Sequence, residues 1–176
     1  IALIVRENSQ GRLLKDVLAS YGIPCVIYSE ENIFDTDEAL EMEFLLKAVA
    51  QPYSEPLVRA ALAGSLFGVD AEEIDSLSKD EGKLEKWIER FRGYHDLWAS
   101  SGFMRMFRNL MTEENVSVRL LAGPRGERTL TNVLHLAEIL NETSVSGKLG
   151  MRGLLKWLNR QRDPSMPRSD EHQLRL

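Results

Sequence analysis

The stretch Ile1-Ala-Leu-Ile-Val5-Arg-Glu-Asn-Ser-Gln10-Gly-Arg-Leu-Leu-Lys15-Asp-Val-Leu-Ala-Ser20-Tyr-Gly-Ile-Pro-Cys25-Val-Ile-Tyr28 decides the fold class of the N-terminal part of the chain. Ile1 to Val5 is a continuous apolar run of strand length, suited to a parallel strand buried on both faces. Arg6 to Gly11 supplies turn and N-cap chemistry, with Asn8 or Ser9 able to accept from the free N–H groups of a following helix. Leu13, Leu14, Val17 and Leu18 then recur at helical spacing. Tyr21-Gly22-Ile23-Pro24 ends that helix, and Cys25 to Tyr28 is short, β-branched and apolar, as a second strand requires. These features make one βαβ unit. A chain whose first residue already lies in a buried strand, with no initiator Met, is expected to be a piece of something larger.

The remaining composition bounds the class. With 176 residues, 43% of them hydrophobic, the chain can build one good core or one domain with part of another. Its one cysteine, Cys25, excludes an internal disulfide framework and fits a reducing, intracellular compartment, hence a cytoplasmic location. No apolar run reaches the length of a membrane span and no signal-peptide pattern opens the chain, so no membrane partner is expected. The net charge of −5 conceals a gradient. Residues 1–80 carry −9, residues 81–144 are neutral and residues 145–176 carry +4, so a polyanion is better met by the C-terminal end.

Beyond Tyr28 the period becomes helical. Asp35-Thr36-Asp37-Glu38 forms an N-terminal cap with acidic residues where the helix dipole favours them, and Leu40, Phe44, Leu45 and Ala48 mark an apolar stripe ending before Pro52. Pro56 opens a helix over Leu57 to Leu66, with Gly64 and Gly68 as its exit. Asp70 caps a short acidic helix. Leu84, Trp87, Ile88, Phe91, Tyr94, Leu97 and Trp98 then form one aromatic face on a long helix, repeated after Gly102 by Phe103, Met106, Phe107 and Leu110. Val116 to Leu121 is ambiguous. Gly123-Pro124-Arg125-Gly126 is a strong turn, followed by Leu130, Val133, Leu134, Ala137 and Leu140 on a helix that Thr129 or Thr131 would cap. The polar run Asn141 to Ser146 leads to a last helix bearing Leu154, Leu155 and Leu158, closed by Asp163-Pro164. The expected class is mainly α, with a short βαβ piece followed by a helical domain.

Catalytic chemistry is not evident. No G-x-x-x-x-G-K-[ST] phosphate loop occurs, and the glycines of Gly123 to Thr129 read as a helix–helix turn. Asp170-Glu171-His172-Gln173 has the letters of an acidic box but follows Pro-Arg-Ser rather than a buried strand. His95, His135 and His172 have no partner at metal-ligand spacing, so no metal site is expected, and no nucleophile, base and orienting group can be assembled. One positive feature stands out. Arg152, Lys156 and Arg160 recur at four-residue spacing opposite the leucines of the last helix, with Arg162 and Arg168 beyond, and such a row is either a solvated face or a phosphate contact.

Ile4-Val5-Arg6-Glu7-Asn8-Ser9-Gln10 on a strand-to-helix turn, with Gly22-Ile23-Pro24 before the next strand, resembles the second motor domain of the UvrD-like superfamily 1 DNA helicases. Arg59 to Gly68, Gly126-Glu-Arg with Leu130 to Glu138, Trp157 to Gln161 and Asp170 to Leu176 are similar to one branch of it, the exodeoxyribonuclease V beta-chain family. The resemblance covers nearly the whole chain in order. It implies that residues 1–31 are part of the second RecA-like motor domain, residues 32–165 its helical insertion and residues 166–176 a return segment. It also implies a parent enzyme that is an ATP-dependent DNA helicase and exodeoxyribonuclease of double-strand break repair and recombination. That parent uses ATP and Mg²⁺ and works on DNA with the other subunits of the exodeoxyribonuclease V complex. Neither the cofactors nor any catalytic residue would fall in this stretch. The family's motif carries over at Arg6, Asn8 and Gln10, near its single-strand channel, whereas Glu7 departs from it and would repel a phosphate, which leaves a structural turn as the other reading. The function expected is a non-catalytic accessory region that positions DNA or partner subunits; the alternatives are a helical protein-docking module with no direct DNA contact, or the equivalent region of another UvrD-like helicase.

Overall fold

The computed structural model describes residues 3–6, 8–25, 32–163 and 165. Among them are nine α-helices, a 3-10 turn at Ile33–Asp35 and no β-strand. The chain divides into two units, Ile1–Asn32 with Asp170–Leu176, and Ile33–Ser169.

In the first unit, α1 (Asn8–Ser20) is the helix expected from Leu13 to Leu18. It closes on Gly22, whose φ of 69° permits the N–H of Ile23 to reach the Leu18 carbonyl at 2.9 Å and its own N–H to reach that of Ala19 at 2.9 Å. The flanking strands are not shown among the described residues. Leu3 to Val5 form no strand, with Leu3 60% and Ile4 98% exposed, and Cys25 is half-buried outside any strand. Ile1, Ala2 and residues 26–28 lie outside the described residues. The physical reason is that parallel strands take their hydrogen bonds from neighbours in a larger sheet, and a pair of short runs cannot satisfy or bury itself.

The second unit is built around α2 (Asp37–Ala50). Thr36 accepts from the Ala39 N–H at 3.3 Å and Asp37 and Glu38 occupy the first turn, as its sequence implies. Its apolar stripe is wider than Leu40, Phe44, Leu45 and Ala48. Leu40 is 37% exposed and Phe44 half-buried, whereas Ala39, Met42, Leu45, Leu46, Ala48 and Val49 are all fully buried. A helix apolar on most of its circumference is a central helix. Around it pack α3 (Glu55–Leu62), α5 (Glu81–Ser101), α8 (Gly126–Ser146) and α9 (Met151–Arg162). The turn after α3 is held by the Glu41 carboxylate, which accepts from the Ser65 N–H at 2.9 Å and the Ser65 hydroxyl at 2.6 Å.

Asp70 and Asp80 cap α4 (Ala71–Lys79) and α5 by accepting from the Glu73 and Lys83 N–H groups at 2.7 and 3.2 Å. The aromatic face of α5 meets Phe67, whose ring lies 5.7 Å from Trp87 and 5.3 Å from Phe91, and continues from Trp98 to Phe103 at 5.6 Å. Phe103 opens α6 (Phe103–Glu113), and all four apolar residues expected there are buried. The ambiguous Val116–Leu121 is a short helix, α7, entered through Asn115 in the left-handed region.

Three expectations fail in α8. The helix starts at Gly126, before Thr129 and Thr131, and the Thr131 hydroxyl donates to the Glu127 carbonyl at 2.8 Å inside it instead of capping it. The Asn141 to Ser146 run is its last turns rather than a connector, because Ile139 and Leu140 are anchored in the core and Ser144 closes the exit by donating to the Leu149 carbonyl at 2.9 Å. The buried face of α8 also shifts, since Leu134 is 45% exposed and Leu136 and Ile139 face inward.

Candidate nucleic-acid interface

The sequence of α9 alternates cations and leucines at helical spacing. A rise of about 1.5 Å per residue places Arg152, Lys156 and Arg160 in one line, about 6 Å from one to the next. Leu154 and Leu158 are buried on the other side, Leu155 is buried beside the row, and the three cations are exposed. The structure therefore brings these three predicted residues together on one face.

That face borders an open groove of about 460 Å³ shared with the C-terminal end of α2. From α2 come Lys47 and Gln51, and from α9 come Arg152, Leu155, Lys156, Asn159 and Arg160, with Asp163 at one end. Lys47, Gln51 and Asn159 were not expected from sequence. Lys47 lies far from α9 along the chain, and only the packing of the two helices joins them.

Beside the groove, Glu43 is a buried carboxylate that accepts from both Lys47 and Arg162. Two cations share the one Glu43 charge, while a second carboxylate, Asp163, stands at one end of the groove. Arg162 also donates from Nε to the Phe34 carbonyl at 3.4 Å, which makes it a structural residue rather than a continuation of the exposed row. Phe34 packs edge-on to Trp157 at 5.5 Å, so both ends of the helical unit meet at the same place. Asp163 is turned into its own loop, accepting from the Ser165 N–H at 2.9 Å and the Ser165 hydroxyl at 2.7 Å. Arg168 lies outside the described residues.

The other predicted residues belong to the first unit. Arg6 is exposed, and its backbone N–H donates to the Gln10 side chain at 3.3 Å. Gln10 thus ties down the entry to α1 in the manner of a capping box, and Asn8 is the first residue of that helix. The local geometry gives Gln10 a structural role in the turn.

His95 Nδ1 lies 3.0 Å from the Val49 carbonyl, and His135 stands 4.0 Å from Glu138 on the surface of α8. His172 and the Asp170 to Gln173 run lie outside the described residues. Among the described residues no cluster of His, Cys, Asp and Glu could hold a metal ion. No described helix is long and apolar enough to cross a membrane. Tyr94 is held protonated far beyond the usual phenol range, first by burial and then by its hydrogen bond to Glu114 and that carboxylate's charge.

No protein-family model matches the chain. Individual proteins do. The chain is 36% identical to RecBCD enzyme subunit RecB of Escherichia coli K12 over 177 residues, which is 100% of this chain and 15% of that subunit. It is 34% identical over 162 residues to the subunit of the same name from Haemophilus influenzae, covering 92% of this chain and 13% of that one. With the Mycobacterium tuberculosis subunit the identity is 31% over 168 residues, 92% of this chain and 14% of the relative. The chain thus spans a small part of the length of the curated relatives it matches.

Proposed function

Because this chain belongs to the RecB family as a segment matching 15% of the Escherichia coli subunit, we propose that it is a non-catalytic, helical accessory region of a RecB-type subunit. The parent in this reading is an ATP-dependent DNA helicase and exodeoxyribonuclease that acts in double-strand break repair as part of a RecBCD-type complex. ATP and Mg²⁺ belong to other parts of that subunit. Residues 1–31 and 166–176 are parts of its second motor domain, the former as a βαβ piece completed by the rest of the sheet, and residues 32–165 are an insertion. The meeting of Phe34 with Trp157 and Arg162 supports an insertion, since a domain set into another chain leaves where it enters.

The region positions DNA by touching its phosphates with Arg152, Lys156 and Arg160. The observation that carries this is the row of three exposed cations along α9, in the part of the chain that carries net positive charge. Arg6, Asn8 and Gln10 are a secondary contact near the strand, with the cationic side chain of Arg6 the residue best suited to it. Replacing Arg152, Lys156 and Arg160 together with Gln is expected to reduce the slope of log K against log salt by roughly 0.7–0.9 per lost contact, with little change in sequence preference. Unchanged affinity and slope would return α9 to a solvated face. The charge of −9 over residues 1–80 favours a second reading, a module that docks another subunit, and partner binding that survives high salt while DNA binding is absent would select it.

A further inference from the structure

We infer that the groove between α2 and α9 takes a single nucleic-acid strand, with phosphates held from both walls; this rests on the reading of α9 as a phosphate-contacting row. Cations stand on both sides of the same space of about 460 Å³, Lys47 on α2 and Arg152, Lys156 and Arg160 on α9. On the α2 side the sharing of Glu43 with Arg162 keeps Lys47 from being fully neutralised. On the α9 side the even four-residue spacing makes a line of charge, which fits a chain of phosphates better than one isolated anion.

Two features select one strand over a duplex. The space of about 460 Å³ beside two helices in contact admits part of one backbone and leaves a duplex touching only its rim. The groove also has Leu155 in its lining, with the amides of Gln51 and Asn159. Those groups suit sugars and base edges, which an unpaired strand can turn inward and a duplex keeps stacked inside. The surface offers charge for affinity and no stack of exposed aromatic rings in the groove lining, so binding should be salt-sensitive and tolerant of sequence.

The test uses the whole 176-residue chain in a salt series with a fluorescent oligo-dT and a hairpin duplex carrying the same number of phosphates. Oligo-dT should bind more tightly than the duplex. Lys47→Gln should weaken oligo-dT binding and lower its salt slope by roughly 0.7, and Lys47→Arg should restore both. Far-UV circular dichroism checks that each variant keeps its helices. An unchanged slope in Lys47→Gln, equal or tighter duplex binding, or equal displacement of oligo-dT by polyglutamate of matched charge would overturn the inference. If the triple Gln variant of α9 loses slope while Lys47→Gln does not, the two-walled groove fails and the phosphate-contacting row stands. If neither variant alters binding, both readings fail.

Discussion

Glu114 shows how a single residue can hold three segments. It is buried at the end of α6, accepts from the Tyr94 hydroxyl at 2.7 Å and receives Arg90 on both oxygens at 3.3 Å. Its backbone carbonyl accepts from Arg119 at 2.7 Å, and the same guanidinium donates to the Leu66 carbonyl. Arg90 in turn lies over the Trp87 ring at 4.8 Å. Replacing Tyr94 with Phe removes one donor from a buried carboxylate and should cost about 1–2 kcal/mol in urea unfolding at neutral pH. The pH dependence has a definite sign. Tyr94 is protonated in the fold at pH values where the unfolded phenol, near pKa 10, has lost its proton, so its contribution is complete below about pH 10 and falls as pH rises above it. Tyr94→Phe should therefore show a shallower alkaline loss of stability than the parent chain. Identical alkaline limbs would contradict this account.

At the scale of elements, the α7–α8 junction depends on a missing side chain. A Cβ on Gly126 would stand 2.4 Å from the Leu120 carbonyl oxygen and 2.6 Å from the Leu121 Cα, both backbone atoms that cannot swing aside. Gly126→Ala should lower the urea midpoint by an amount equivalent to about 1–3 kcal/mol, and a variant as stable as the parent would mean the two helices can separate without loss. The same junction explains what was legible in the sequence. Helices with one apolar face, such as α5, α6 and α9, were readable because Phe91, Met106 and Leu158 repeat at the period of the backbone. The stripe of α2 is wider than its four periodic residues show because Met42, Leu46 and Val49 fill the rest of a circumference that is buried nearly all round. Thr129 and Thr131 suggest caps for α8, whereas close backbone approach at Gly126 sets its start. The cationic row of α9 was legible for the same reason as its leucines. Lys47 was not, because periodicity describes one helix and the groove belongs to two.

At the scale of the molecule, the helical unit carries its own central helix, aromatic core and caps, and its two ends are joined by Phe34, Trp157, Arg162 and Glu43. A chain of residues 33–165 alone should unfold cooperatively with a urea midpoint close to that of the 176-residue chain. A broad transition accompanied by dye-binding apolar surface would show that the unit needs the rest. Hydrogen exchange offers the complementary reading, with early loss in α1, whose Leu13 and Val17 are exposed, and late loss in α2 and α5. The neighbouring ends have a mechanical consequence. A pull transmitted along the main chain through Ile33 and Asp163 reaches the Phe34–Trp157 contact and the Glu43–Arg162 pair before it reaches α5 or α6. The unit is clipped at its base, and tension loads that clip first.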